Sequence, residues 1–525
     1  MKHLAGIILM LILFSGFQTE AQTLDVEWGG STKLDTETKY LKLAGSDRDK
    51  YYLVRVQKGI PLENSKVWIE SVSRITNGIE MSYELTMPEV YNKPTSFENL
   101  FYLENKLILL AAQIDGVKQR KTVYAFIIEE DGSPVSHPLL LGNIPYTGLE
   151  KGFQYMVSDD KKYITVFYTN EFTIYSGEPL VFKVIDTNLE IIDQQNIELT
   201  DLIKRKFNIE KVDRGPSGNF YLAIAVEPAT TRRSRGRAGV PAKVNYEYTL
   251  YVWNTAKKQL QPYPIEVDRL NPSSITFEID AEENLLLFGQ TTKRSAPAIV
   301  GFYYQKLVPR FEKFTVKTVK DFSRERDFMN EFKNEKNGPT AAEWYSYSPG
   351  QVVFLDNGSV IYLTEQHYQS SRTMVEPRTK QETVINYDNH GDIIALEITD
   401  NDEPGWMTKI PKNQFSTDDF GYYASFYATT DMNKTKIFFN DNSRNFGKVS
   451  YEKTKDIKFF ERSNPGGTAA LITIYPDGNI DKVEMFRKEY KNVNIQRDLI
   501  FHDNGHYFFY GQDGGDIKFG NFFFE

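Results

Sequence analysis

Apolar and polar positions along this chain follow a repeating hairpin phrase, not a helical or heptad order. At Phe501-His502-Asp503-Asn504-Gly505-His506-Tyr507-Phe508-Phe509-Tyr510-Gly511-Gln512 a strand meets Asp-Asn-Gly and continues as a second, aromatic strand. Asp, Asn and Gly tolerate positive φ, so the chain reverses tightly there. The apolar run behind the turn is too short for a helix and rich in β-formers. The phrase recurs with turns near Asp49, Asn105, Lys161, Gly218, Glu283, Gly358, Asn433 and Gly505, at steps of 56, 56, 57, 65, 75, 75 and 72 residues. The strands behind the turns, such as Leu107-Ile108-Leu109-Leu110 and Phe220-Tyr221-Leu222-Ala223, are almost continuous apolar runs. Such runs suit strands buried on both faces.

A second hairpin follows in most copies, with turns at Asn77-Gly78, Asp131-Gly132, Thr187-Asn188, Thr255-Ala256, Asn389-His390-Gly391 and Asp477-Gly478, and a weaker one at Lys306-Leu307. Each copy therefore holds about four antiparallel strands. A four-stranded sheet repeated many times buries its faces by stacking around an axis, which predicts an all-β chain folded as a β-propeller. Eight blades are expected. The last copy stops one strand short, and Leu24-Asp25-Val26-Glu27-Trp28 is placed to complete it. Pairing those ends removes an exposed edge. Seven blades is the alternative if residues 39–90 only complete the last sheet, and two separate β-sandwiches is another arrangement of the same strands.

The leader changes the picture of where the chain works. An apolar run from Leu4 to Phe17 follows Met1-Lys2-His3 and ends in Gln18-Thr19-Glu20-Ala21-Gln22. It is shorter than the roughly 20 residues of a spanning helix. Thr19 and Ala21 suit the small positions before a signal-peptidase cut. Residues 1–21 read as a secretory signal, residues 22–525 as one propeller, and the mature chain as exported, periplasmic or extracellular, without an integral membrane segment. The intact mass of protein from its native host is expected to lack residues 1–21; a mass that retains them contradicts this. The net charge of −9 argues against nucleic acid as a partner. There is no Cys, which excludes disulfides, thiolate nucleophiles and Cys metal sites.

Function in a propeller belongs to the loops. Four insertions lengthen the later copies, at 228–246, 320–348, 401–420 and 440–467. The first carries a basic arm with Arg232, Arg233 and Arg235, suited to an acidic glycan, lipid headgroup or acidic partner. The second has phenylalanines at loosely helical spacing and then Trp344 and Tyr345, aromatics of a kind that stack on sugars. The third holds Asp and Asn clusters without the spacing of a calcium loop. The fourth opens on the polar run Asn440, Asp441, Asn442, Arg444 and Asn445 at a strand end. Asx residues there either satisfy loop backbone or meet a ligand. These ten residues are the candidate ligand- or partner-binding set.

The sequence carries no recognisable catalytic constellation. His502 and His506 flank one turn, with Asp503 as the single near third ligand, and no metal or cofactor is expected. No nucleophile elbow, P-loop, His-Glu-x-x-His or dinucleotide fingerprint occurs. Tyr475-Pro476-Asp477-Gly478-Asn479 lacks the Ser and Trp of a sialidase turn. The leader, Trp28-Gly29, the repeated Asx-Gly hairpins and Phe439-Asn440-Asp441-Asn442 together resemble exported β-propeller proteins of Gram-negative bacteria, a group with no shared activity to carry over to a residue here. The expected function is a non-catalytic binding or scaffold propeller of the cell envelope that engages protein or glycan through loops of its second half. The alternative is a propeller hydrolase or lyase acting on polysaccharide.

Overall fold

Each of the eight turns read from the repeat joins the first two strands of an antiparallel sheet. The reversals use left-handed backbone at Asn105 (φ 61°), Lys161 (56°), Glu283 (62°), Gly218 (84°), Gly358 (86°) and Gly505 (81°). The structure, a computed structural model, describes residues 24–58, 64–146, 152–169, 179–203, 205–228, 246–293, 299–322, 347–375, 378, 382–446, 457–462, 466–486, 492–503 and 505–524. The leader and most of the second insertion, with its expected helix, lie outside these residues.

Blade one is Thr38–Ser46, Lys50–Gln57, Val67–Ser73 and Ile79–Glu84. Blade two is Ser96–Leu103, Lys106–Asp115, Arg120–Ile128 and Leu139–Pro145, and blade three is Gln154–Val157, Tyr163–Thr169, Leu180–Asp186 and Ile191–Ile197. Blade four is Phe207–Arg214, Phe220–Val226, Glu247–Asn254 and Gln259–Pro264. Blade five is Thr276–Ile279, Leu285–Thr292, Ile299–Val308 and Lys313–Asp321. Blade six is Gln351–Phe354, Val360–Val375, Glu382–Ile398 and Pro404–Ile410, and blade seven is Tyr427–Asp431, Lys434–Asn442, Gly467–Ile474 and Ile480–Glu484. Blade eight has Phe501–Asp503, His506–Asp513 and Asp516–Phe523, and takes its outer strand from the N-terminal end.

Inner strands are buried on both faces, as in Phe220–Val226, whereas Lys313–Asp321 at an outer edge alternates exposed and half-buried. The apolar faces pack sheet against sheet all the way round. Between blades eight and one, Phe508, Tyr510 and Phe519 meet Tyr40, Tyr51 and Leu53, and comparable layers join the other neighbouring pairs. The ring is an eight-bladed β-propeller. Its closure is the N-terminal strand: Glu27 pairs with Asn521 and Trp28 with Gly520. Trp28 stands edge-on to Phe486 and Phe509, each at 5.0 Å. Gly29 is required there, because a Cβ would lie 2.0 Å from the Asn77 carbonyl oxygen.

Two expected turns are strand instead. Lys306-Leu307 continues Ile299–Val308, and the reversal comes at Pro309–Phe311, closed by Glu312 at φ 53°. Asn389-His390-Gly391 lies inside Glu382–Ile398. Its local chemistry suits a turn, but pairing with Val360–Val375 on one side and Gln414–Thr417 on the other holds it extended. The segment 401–420 likewise contains the outer strand Pro404–Ile410 and the edge strand Gln414–Thr417.

Strand direction decides which rim carries the long connections. Because strands alternate, the connection from second to third strand and the connection from one blade to the next leave from the same rim. The end pairs Val226–Glu247, Val375–Glu382 and Asn442–Gly467 all lie there. So do Asp321, which ends the outer strand of blade five, and Ile410, which ends that of blade six.

Candidate functional site

Blade six departs from its neighbours on that rim. Its second and third strands are 16 and 17 residues long, and they leave the sheet as an exposed hairpin beyond Glu365. The pairing register shifts between Glu365 and His367, a bulge that re-aims side chains at the point of exit. His367 and His390 are register partners, and their rings stack at 4.4 Å.

The acid–x–His sequences Glu365-Gln366-His367 and Asp388-Asn389-His390 thereby meet across one hairpin. His367 Nε2 lies 2.6 Å from Asp388 Oδ1. His390 Nδ1 lies 2.8 Å from Glu365 Oε2, and its Nε2 lies 3.7 Å from Asp388 Oδ1. Behind them, the connection after Ile410 brings Lys412, whose ammonium is 2.6 Å from Glu365 Oε1 and donates to the His390 carbonyl (3.2 Å) and Gln414 Oε1 (2.9 Å). Ser425 Oγ donates to Glu365 Oε2 at 2.7 Å. The five charged or chargeable groups grade inward: side-chain exposure falls from 34% at His367 through 10% at Asp388, 7% at His390 and 5% at Glu365 to 0% at Lys412.

Burying such groups is tolerated only when they pair. Burial works to raise the Glu365 carboxyl, but the Lys412 ammonium and the His390 contact outweigh it and hold it at about 2. Burial lowers both His390 and Lys412, each against the pull of Glu365. Glu365 is therefore an ionised carboxylate that fixes His390 from behind.

The outer end of this chain opens on a cleft lined by Ser370, Asn386, Tyr387, Asp388, Asp418 and Phe420. Tyr387 stacks on Phe415 at 5.6 Å, which fixes one wall. Phe420, 86% exposed, forms another. Asp418 Oδ1 accepts from the Asn386 backbone N–H at 2.9 Å and ties the two walls together. The chain then crosses the rim: Tyr422 donates to the Tyr40 carbonyl in blade one, and Tyr423 bonds Gln512 in blade eight.

The residues singled out from sequence have other surroundings. The Asn440 amide donates to the Tyr423 and Ile495 carbonyls and accepts from the Ile495 N–H, linking blades seven and eight. Asp441 is fully buried, ion-paired with Lys482 and bonded to Asn445 Nδ2 at 2.7 Å. Asn445 also fixes Lys458 through both its carbonyl and its N–H. Asn442 accepts from the Arg444 N–H (3.1 Å), and the Arg444 side chain is exposed. Arg232, Arg233, Arg235, Trp344 and Tyr345 lie outside the described residues. His502 stacks on Tyr507, and Asp503 pairs with Arg74 at 2.6 Å, so His502, Asp503 and His506 do not converge. Sequence reasoning missed Glu365, His367, Asp388 and Lys412 and read His390 as part of a turn. The repeated acid–x–His was the available signal.

No protein-family model matches the chain, and no curated protein matches it. Among solved structures, a family 25 polysaccharide lyase, an ulvan lyase bound to a glucuronate–sulfated rhamnose saccharide, is 10% identical. It covers 88% of this chain and 96% of its own, with a TM-score of 0.35. An α-L-arabinanase of Penicillium chrysogenum complexed with arabinobiose is 9% identical, over 74% of this chain and 98% of its own, with a TM-score of 0.33. The α-L-arabinofuranosidase Arb93A of Fusarium graminearum, in complex with an iminosugar inhibitor, is 10% identical, over 70% and 97%, with a TM-score of 0.31. The matched structures are enzymes, whereas the expectation was a non-catalytic scaffold, and that reading is not carried further. At these identities and TM-scores the likeness bears on the β-propeller fold alone.

Proposed function

We propose that this propeller is an enzyme that cleaves polysaccharide, with its reaction centre at His367, Asp388 and His390. The observation that carries the reading is the His367–Asp388 pair, 2.6 Å apart, whose Asp388 lines the cleft with Tyr387 and Phe420. Both histidine–carboxylate hydrogen bonds among the described residues belong to this cluster. A sugar ring presents apolar C–H faces and a rim of hydroxyls. Aromatic walls with convergent Ser, Asn and Asp groups complement both.

Elimination fits this centre better than hydrolysis. Glycoside hydrolysis uses one protonated carboxyl as acid and a second carboxylate as base or nucleophile. Glu365 is held ionised against Lys412, and Asp388 is bonded to His367. In elimination a base such as His367 takes the proton from the carbon beside a uronate carboxylate, the electron pair forms a C=C bond, and the C–O bond breaks. The departing glycosidic oxygen takes a proton from an imidazolium or water, so no protonated carboxyl is needed. Export through the leader would bring the enzyme to envelope or extracellular glycan. Among the described residues, no helix is long and apolar enough to cross a membrane.

The trial is incubation of purified protein with a panel of uronate-containing and neutral polysaccharides. Reducing ends report any cleavage, and ultraviolet absorbance of unsaturated ends reports elimination. Phe420→Ala is expected to raise KM about tenfold with kcat little changed, as loss of a binding wall should. Absence of cleavage across the panel, or a Phe420→Ala enzyme with unaltered kinetics, contradicts the assignment.

A further inference from the structure

The same cluster carries a second reading that does not depend on what the cleft binds. We propose that His367, Asp388 and His390 form a binding site for one divalent transition-metal ion of the zinc type. One nitrogen or oxygen from each of the three lies within 4.8 Å of the others. Ligand atoms around a tetrahedral zinc stand about 3.3 Å apart, given bonds of about 2.0–2.1 Å. The separations here, 2.6 Å from Asp388 Oδ1 to His367 and 3.7 Å to His390, bracket that value. The two Asp388 contacts are thus within about 0.7 Å of ligand spacing, and the two imidazole nitrogens lie within 4.8 Å of each other.

Three further observations point to an ion. His390 is 94% buried, yet its Nε2 has no hydrogen-bond partner and faces Asp388. A buried imidazole nitrogen without a partner is costly unless something completes it. The other nitrogen of the same ring meets Glu365 at 2.8 Å, and Glu365 is in turn fixed by Lys412 and Ser425. Metal-binding histidines almost always donate their second N–H to such a carboxylate, which sets the tautomer and orients the ring. Finally, the chain opposite is Gly421 at φ 72°, and a Cβ there would lie 3.0 Å from both Asp388 Oδ2 and His390 Nε2. Glycine keeps open the space that an ion would occupy. Three protein ligands leave a fourth position open, the arrangement in which a metal can polarise a water or a sugar carboxylate. Two imidazoles and one carboxylate favour zinc or a neighbouring first-row ion over calcium or magnesium.

The test uses full-length protein stripped with chelator and no polysaccharide, so its outcome stands apart from that of the cleavage assay. Titration with zinc chloride is followed by calorimetry, and cobalt(II) by its visible absorption. One equivalent should bind, with cobalt bands characteristic of mixed imidazole and carboxylate coordination. His367→Ala, at a half-exposed position, should abolish both signals. Gly421→Ala should weaken binding and, because a Cβ at φ 72° strains the backbone, lower the melting temperature as well. Glu365→Gln should weaken it about 10- to 100-fold, the usual effect of losing the carboxylate behind a metal-bound histidine. His506→Ala, in a different cleft, should bind as the wild type does. Failure to bind zinc or cobalt, or unchanged binding in His367→Ala, overturns the proposal.

Discussion

Replacing Lys412 by alanine is expected to destabilise the protein by about 3–5 kcal/mol, the range for breaking one side of a buried ion pair. The Lys412 side chain has no exposure, lies 2.6 Å from Glu365 and donates to two further oxygens. Its loss leaves the Glu365 carboxylate buried with only His390 and Ser425 to meet it. Water cannot take the place of the ammonium cheaply in so enclosed a position. The double replacement Lys412→Met with Glu365→Gln removes both charges and should recover most of that loss. Urea midpoints of the wild type, Lys412→Met, Glu365→Gln and the double variant close the cycle, with Lys412→Ala measured beside them. A single variant within 1 kcal/mol of the wild type would show that the pair does not hold the cluster.

The second large effect is at the closure of the ring. A chain starting at residue 34 lacks both N-terminal strands that pair with Asp516–Phe523. It should melt far lower and tend to associate, because a paired strand becomes a free edge and the Phe486–Phe509 surface loses Trp28. Trp28→Ala alone should cost about 2–3 kcal/mol, below the ~3–5 kcal/mol of a fully buried aromatic because Trp28 is half-buried. Sedimentation and thermal melts of the two proteins decide it. An unchanged melting temperature on truncation would remove the closure from the account.

The propeller was legible because its turns impose local rules. Positions such as Asn105, Gly218 and Gly505 need left-handed backbone, and Asx or Gly marks them whatever the tertiary context. The buried second strands were equally visible as unbroken apolar runs. The site was hidden for the opposite reason. Asn389-His390-Gly391 has the composition of a reversal, and only pairing with two other segments keeps it extended. Glu365 and His390 are 25 positions apart, and the register of one hairpin makes them neighbours. Lys412 comes from the connection that follows the outer strand, which no local pattern announces. Conversely, the polar run Asn440–Asn445 stood out as unusual at a strand end. In the fold its buried members, Asn440, Asp441 and Asn445, satisfy backbone and charge between blades seven and eight and the adjoining loop.

The most direct test of the reaction centre compares two histidines at different clefts, His367 behind Asp388 at one and His506 lining the other. His367 adjoins Asp388 at the cleft on the long-loop rim, whereas His506 is exposed at a cleft between blades seven and eight that Asp431, Lys434 and Phe523 also line. On whichever polysaccharide the wild type cleaves, kcat/KM is measured for His367→Ala and His506→Ala alongside their melting temperatures. The account predicts a loss of about 10²–10⁴-fold in His367→Ala with the melting temperature within a few degrees of the wild type, and near-normal turnover in His506→Ala. Full activity in His367→Ala, or a loss confined to His506→Ala, would contradict it.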